Sequence, residues 1–130
     1  MSANAKKILV VEDDVQTRNE IVDYFRSVGY SVSEAPDGKV GYEIVRQDPV
    51  FDFILTDYNM VPWNGLDMIE KIRSEIPECR SVLIVLSTEK SADHSERSKR
   101  LGVKLWKLKP FDGPTVNQAC ITISQRQQAN

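Results

Sequence analysis

Apolar and polar residues follow two alternating patterns along the chain. Continuous apolar runs, such as residues 8–11 and 82–86, are typical of short strands that are buried on both faces. Between these runs, apolar residues recur every three or four positions, which indicates amphipathic helices. Five predicted strands alternate with five predicted helices, so the pattern predicts an α/β fold with a parallel sheet covered by helices on both faces.

The composition of each predicted strand indicates its place in the sheet. The strands at residues 8–11, 51–55 and 82–86 contain continuous apolar runs, which indicates that they are central. The strands at residues 30–34 and 103–108 alternate with polar residues, which is typical of sheet edges. Right-handed crossovers then favour a doubly wound, flavodoxin-like sheet with the strand order 2-1-3-4-5 and a crevice between strands one and three.

The predicted helices differ in how firmly the core can hold them. Asp13 or Asp14 can cap the first helix, and Gly29 can end it. Its apolar stripe consists of Ile21, Val22, Phe25 and Val28. The fourth helix, residues 91–100, has only Ala92 and Leu101 as apolar anchors, so we expect it to be held weakly. The last helix spans about residues 112–126.

Length and charge limit the possible functions. We expect the 130 residues to form one domain, residues 1–130, without an output domain. The net charge of −2 gives no positive field for nucleic acid. The apolar runs are far shorter than the roughly 20 residues of a membrane helix, and no signal peptide is visible. We therefore expect a cytoplasmic protein that binds neither nucleic acid nor membrane, with Cys79 and Cys120 as reduced thiols.

Polar residues follow the predicted strands at one edge of the sheet. They are Glu12 and Asp13 after strand one, Asp57 after strand three, Ser87 and Thr88 after strand four, and Lys109 after strand five. Three carboxylates that converge at one edge repel one another unless a cation lies between them. Carboxylate oxygens with open positions for water are typical of Mg²⁺ sites, so the sequence predicts a magnesium site here.

This set of side chains can support phosphoryl transfer. A carboxylate such as that of Asp57 can attack phosphorus and form an acyl phosphate, while a metal ion offsets the charge on the transferring group. Lys109 can pair with Asp57 or with a phosphoryl oxygen, and Ser87 can donate a hydrogen bond. We therefore expect Asp57 to accept a phosphoryl group.

Four motifs carry a family resemblance over nearly the whole chain: ILVVEDD, LTDYNM with a glycine eight residues after its aspartate, LST and LKPF. Together they resemble the receiver domain of two-component response regulators. The resemblance implies that Asp57 is the phosphoacceptor. It also implies that the Asp13 and Asp57 side chains and the Asn59 carbonyl bind Mg²⁺, and that Glu12 acts nearby through water.

The same resemblance assigns the residues that respond to phosphorylation. Ser87 is the responding hydroxyl, Trp106 the switch aromatic, and Lys109 the lysine before a bond to Pro110 that is often cis in this family. Two residues depart from the family pattern. Val61 separates Met60 from Pro62, which predicts a changed loop shape without loss of chemistry. Trp106 replaces the usual tyrosine or phenylalanine, and its bulkier indole is less suited to rotating inward.

Within the family, the chain is similar to stand-alone chemotaxis regulators of the CheY type. Asn59 and Glu89 occupy positions that tune the hydrolysis of the acyl phosphate. The resemblance implies a phosphoacceptor switch with self-catalysed transfer and autodephosphorylation rather than an enzyme. Its implied partners are a sensor histidine kinase and a protein target, such as the flagellar motor switch, which binds a monomer through the fourth helix, fifth strand and fifth helix.

Three other functions remain open. A phosphorelay shuttle uses the same receiver chemistry. An aspartate-nucleophile phosphatase usually has a second acid two residues after the nucleophile, where this chain has Asn59. An FMN-binding protein can share the sheet order, but the acids after strand one would repel the FMN phosphate. The single histidine, His94, gives no basis for a Ser-His triad.

Overall fold

Strands and helices alternate along the chain in the computed structural model, which describes residues 5–88 and 92–128 except for the side chains of residues 92–95 and 128. In chain order the elements are β1 (Lys7–Val11), α1 (Val15–Ser27), β2 (Ser31–Ala35), α2 (Gly38–Gln47), β3 (Phe53–Asp57), α3 (Gly65–Glu75), β4 (Val82–Ser87), α4 (Ala92–Arg100), β5 (Val103–Leu108) and α5 (Gly113–Gln128).

The five strands form one parallel sheet with the order β2-β1-β3-β4-β5. This order and the doubly wound α/β fold confirm the prediction. The central strands β3 and β4 are buried along their whole length, whereas β2 and β5 are largely half-buried or exposed. Because all strands are parallel, their carboxyl ends lie at the same edge of the sheet, next to the crevice between β1 and β3.

Helices pack on both faces of the sheet, and each face has its own apolar core. One core includes Leu9, Ile54, Leu66, Ile69 and Leu83. The other core includes Ile8, Phe25, Phe53, Ile84 and Val116. Among the described residues, no helix combines the length and hydrophobicity that crossing a bilayer requires.

Two local predictions differ from the structure. Val28 is the C-cap of α1 and 42% exposed, so its place in the buried stripe is wrong; the helix has already ended when it reaches this position. Gly29 follows with φ of 98°, a conformation that favours glycine. The third strand begins at Phe53 and not at residue 51. Phe51 is buried in the core although it lies outside the strand.

Candidate functional site

Asp57 is the last residue of β3, and its side chain is almost completely buried, with 2% exposed. The backbone N–H of Asn59 donates a hydrogen bond of 3.2 Å to Oδ1 of Asp57. The segment of residues 58–64, which we call the acceptor loop, begins directly after it. The Gly65 N–H, at the start of α3, donates to the Tyr58 carbonyl at 3.0 Å and so closes this loop.

The three carboxylates predicted to bind a metal lie together. Glu12, Asp13 and Asp57 each offer an oxygen, and these oxygens all lie within 4.8 Å of one another. Glu12 is 1% exposed, whereas Asp13 is exposed to solvent. The group therefore has a buried side at Glu12 and Asp57 and an open side at Asp13.

Lys109 connects the end of β5 to this group. Its Nζ atom lies 3.0 Å from Oε1 of Glu12 and 3.1 Å from Oδ1 of Asp57. The backbone N–H of Lys109 donates to the Ser87 carbonyl at 2.8 Å, which fixes the start of the following turn to the end of β4. The Lys109-Pro110 peptide is cis, as the family resemblance implies.

Burial and charge act in opposite directions on these groups. Burial raises the pKa of Glu12 to about 7, with a smaller contribution from the charge of Asp57, although the Asp14 N–H and Lys109 lower it. Burial lowers the pKa of Lys109, but hydrogen bonds and charge from Glu12 and Asp57 outweigh this and raise it above its ordinary value. Near neutral pH, the site therefore holds a charged lysine beside a carboxyl group that is partly protonated.

The donor set fits a magnesium ion. Mg²⁺ prefers hard oxygen ligands at about 2.1 Å and keeps several waters. Glu12, Asp13 and Asp57 supply carboxylate oxygens that lie within 4.8 Å of one another and could hold one ion, and Asp13 is exposed to water. An ion bound there would offset the negative charge that accumulates during phosphoryl transfer.

Ser87 and Asn59 lie at the same edge of the sheet as Asp57. Ser87 is the last residue of β4 and fully buried. Asn59 is exposed, and its side-chain Oδ1 lies 3.3 Å from the Thr88 hydroxyl. Sequence reasoning missed this contact between Asn59 and Thr88, although both residues follow neighbouring strands. Glu89 lies outside the described residues.

Trp106 lies on β5, opposite Val85 of β4. Its half-buried indole packs against the core that contains Leu9 and Ile54. The centres of the Trp106 and Tyr58 rings are 5.5 Å apart, with their planes at 47°. Trp106 therefore contacts the first residue of the acceptor loop.

A shallow cavity of about 360 Å³ opens beside the carboxylates. Asp13 lines it, together with acceptor-loop residues Tyr58, Asn59, Met60, Val61 and Asn64. Val61 is 80% exposed, and the Val61-Pro62 peptide is cis. The valine that departs from the family pattern thus lies at the mouth of the site and leaves the group of carboxylates intact.

Comparisons with known proteins agree with this geometry. Residues 8–120 match the model of the response regulator receiver domain. The chain is 26% identical over 121 residues to chemotaxis protein CheY-3 of Vibrio cholerae, covering 92% of both chains. It is 29% identical over 114 residues to the two-component response regulator ORR3 of Oryza sativa, covering 87% of this chain and 86% of the relative.

A solved structure shows the same fold. The chemotaxis response regulator CheY4 of Vibrio cholerae superposes with a TM-score of 0.79 at 26% identity, covering 95% of this chain and 98% of that chain. The sheet order, the carboxylate group at the strand ends and the match over residues 8–120 lead to one conclusion: this chain belongs to the response regulator receiver domain family.

Proposed function

We propose that the chain is a phosphorylation-dependent signalling switch in which Asp57 accepts a phosphoryl group from a histidine kinase with the help of Mg²⁺. The observation that carries the proposal is the position of Asp57, buried at the end of β3 within 3.1 Å of Lys109 and beside Glu12 and Asp13. A nucleophile, a countercharge and a set of metal ligands are thus present at one point of the sheet.

The contacts of Asp57 suggest how its carboxylate reacts. Oδ1 is oriented by the Lys109 ammonium and by the Asn59 N–H, so we assign the other oxygen, Oδ2, as the nucleophile. Attack by Oδ2 forms an oxygen–phosphorus bond as the bond from phosphorus to the donor's histidine nitrogen breaks. We expect Lys109 then to pair with a phosphoryl oxygen and Ser87 to donate a hydrogen bond to another.

The loss of the phosphoryl group is part of the proposed switch. We propose that the chain catalyses its own dephosphorylation and that Asn59 and Glu89 tune how fast water attacks the acyl phosphate. The contact between Asn59 and Thr88 fixes the orientation of one of these two side chains. A switch of this kind returns to its unphosphorylated form through its own reaction with water.

A groove between β5 and α5 supports binding of a protein target on the face formed by α4, β5 and α5. The groove has a volume of about 660 Å³. Leu105, Ala119 and Ile123 give it an apolar floor, while Lys104 and Arg126 are its charged lining residues. We propose that it receives a target segment that has apolar side chains flanked by acidic residues.

Chemotaxis is the output that we propose for this switch. The Vibrio cholerae relative bears a chemotaxis name and is covered over 92% of its length, which supports this output. We propose that the chain acts as a monomer on a target such as the flagellar motor switch. The rice relative is named only as a two-component response regulator, so a phosphorelay shuttle is the second candidate.

Intact-mass spectrometry after incubation with acetyl phosphate and Mg²⁺ tests the proposal. We expect the wild-type chain to gain one phosphoryl group that is stable in acid and labile in base, and Asp57→Asn to gain none. Asp48→Asn is the matched control, because Asp48 is an exposed carboxylate paired with Lys7 away from the site. Equal modification of wild type and Asp57→Asn contradicts the proposal, and repeated turnover of a phosphate ester supports the phosphatase alternative.

A further inference from the structure

The attachment of α4 to the rest of the domain is mainly polar. Of its two predicted apolar anchors, Leu101 is 7% exposed, and the side chain of Ala92 is outside the described part of the chain. The sequence of the helix, ADHSERSKR, is otherwise polar. Ion pairs and hydrogen bonds therefore contribute to the position of α4 beside the single described apolar anchor, Leu101.

Arg97 makes the ion pairs that hold α4 on α3. Its Nη2 atom lies 3.0 Å from Oδ1 of Asp67 and 2.9 Å from Oε1 of Glu70, and its Nε donates to the same Glu70 oxygen at 3.2 Å. One turn further along, directly after the end of α4, Nε of Arg73 donates to the Leu101 carbonyl at 3.0 Å. The two helices are thus joined by an arginine from each.

Asp67 also contacts the acceptor loop. Its second oxygen, Oδ2, accepts the Asn64 N–H at 3.0 Å, while Oδ1 of Asn64 accepts the Asp67 N–H at 2.8 Å. This reciprocal pair is a capping box at the start of α3. Because Asn64 is the last residue of the acceptor loop, one carboxylate contacts both the loop that follows Asp57 and the helix α4.

We propose that Asp67 and Arg97 are positioning residues that couple the acceptor loop to α4, so that phosphorylation of Asp57 changes how α4 is held. This inference rests on the proposed function. The Arg97–Asp67 and Asp67–Asn64 contacts belong to the arrangement in which Lys109 pairs directly with the Asp57 carboxylate. Weakening the Arg97–Asp67 pair destabilises that arrangement of α4 and shifts the domain toward the conformation that phosphorylation favours.

Reciprocal coupling makes the proposal measurable at Asp57. If phosphorylation alters the hold on α4, then loosening α4 must alter the affinity of the site for a phosphoryl mimic. The Arg97 and Asp67 side chains are 30% and 40% exposed, and such partly exposed ion pairs are weak. We therefore expect a change in affinity of about two- to fivefold.

Titration calorimetry with beryllofluoride in the presence of Mg²⁺ tests the coupling. We expect Arg97→Gln to bind about two- to fivefold more tightly than wild type. Asp67→Asn, whose amide oxygen can still accept from Asn64, is expected to behave similarly, and the double variant to add little because both changes remove the same contact. Glu43→Gln is the matched control, since Glu43 forms an exposed ion pair with Arg46 on α2 and touches neither α4 nor the acceptor loop; we expect less than about a twofold change.

Urea unfolding of the same variants separates coupling from a structural role. A purely structural role lowers the unfolding free energy and leaves beryllofluoride affinity unchanged, which overturns the inference while the proposed function stands. Weaker binding by Arg97→Gln also overturns it. A wild-type chain that fails to bind beryllofluoride overturns the proposed function and the inference together. If Arg97→Gln does not fold, Arg97→Lys, which keeps the charge but loses the two-sided contact, is expected to bind between wild type and Asp67→Asn.

Discussion

The ammonium group of Lys109 lies 3.1 Å from Oδ1 of Asp57. Lys109 directly follows the carboxyl end of the edge strand β5. The same nitrogen lies 3.0 Å from Glu12 at the end of β1. One cation thus compensates two carboxylates that are each at most 2% exposed. Because an uncompensated buried charge is costly, the position of Lys109 stabilises the charged forms of these two carboxylates.

Replacing Lys109 with methionine should slow phosphorylation without removing the nucleophile. The variant keeps Asp57 and the metal ligands but loses the cation that orients Oδ1 and stabilises the charge on the transferring group. We expect the rate of modification by acetyl phosphate to fall on the order of 10²-fold. The time course of the intact mass measures this rate.

The control for this variant is Lys104→Met, because Lys104 lies on β5, the strand that precedes Lys109, but lines the groove between β5 and α5. We expect Lys104→Met to react at the wild-type rate. Equal rates for Lys109→Met and wild type would show that the ion pair with Asp57 has no part in the transfer.

The raised pKa of Glu12 predicts that stability falls as pH increases. The unfolded chain loses the Glu12 proton near the ordinary pKa of 4.5, whereas the folded chain keeps it until about 7. Between these values the folded state binds more protons, so the free energy of unfolding decreases with rising pH, by up to about 3 kcal/mol from this group. Urea unfolding between about pH 5 and 8, without divalent cations, measures the slope.

Glu12→Gln tests the origin of that slope, since the amide keeps the size of the side chain but does not titrate. We expect its free energy of unfolding to vary less between pH 4.5 and 7 than that of wild type. Parallel pH profiles of the free energy of unfolding for wild type and Glu12→Gln would assign the slope to another group.

Wild-type affinity for Mg²⁺ should rise as pH increases through about 7, because the metal binds the deprotonated carboxylate.

The parts of the fold that depend on burial could be predicted from the sequence. Continuous apolar runs distinguish the central strands from the edges, and polar residues at the strand ends then meet at one edge because the sheet is parallel. The pattern therefore predicts that Asp57, Glu12 and Lys109 lie together, and in the structure Lys109 contacts both carboxylates. The start of β3 was misplaced because Phe51 is buried outside the strand, and hydrophobicity alone does not separate these cases.

Contacts between exposed polar side chains could not be predicted in this way. Arg97 and Asp67 are 30 residues apart, and nothing in the local sequence of either residue specifies the other. The contact between Asn59 and Thr88 likewise depends on the relative height of two loops above the sheet. Such pairs carry no periodic signal, because they are set by side-chain reach rather than by burial.

The close approach of Gly65 to the backbone of Asp57 explains why a glycine stands eight residues after this aspartate. A Cβ atom added to Gly65 would lie 2.5 Å from the Asp57 carbonyl oxygen and 3.1 Å from Cγ2 of Thr56. The start of α3 would have to move away from β3, which would also strain the acceptor loop. We expect Gly65→Ala to lower the free energy of unfolding by about 1–3 kcal/mol and to slow phosphorylation. Urea unfolding and intact-mass time courses check both effects.

Gly38→Ala is the matched control for this change. An added Cβ there meets Cβ of Trp63 at 3.3 Å, so a shift of a few tenths of an ångström is sufficient to accommodate it. Because Trp63 also belongs to the acceptor loop but can shift, we expect smaller losses of stability and of the phosphorylation rate than for Gly65→Ala. Similar losses of stability and phosphorylation rate in both variants would mean that the close approach of Gly65 to the Asp57 carbonyl does not cause the effect of Gly65→Ala.

The surroundings of Trp106 predict that its indole stays in place when Asp57 is phosphorylated. The ring packs against the core on one side of the sheet and against Tyr58, 5.5 Å away, so inward rotation would break both contacts. In a Trp63→Phe background, we expect the emission maximum of Trp106 to change little on addition of beryllofluoride and Mg²⁺. A Trp106→Phe variant that retains Trp63 reports separately on the acceptor loop. Trp106 is the only tryptophan in the Trp63→Phe protein, so a large shift of its emission maximum would mean that the indole rotates despite its size.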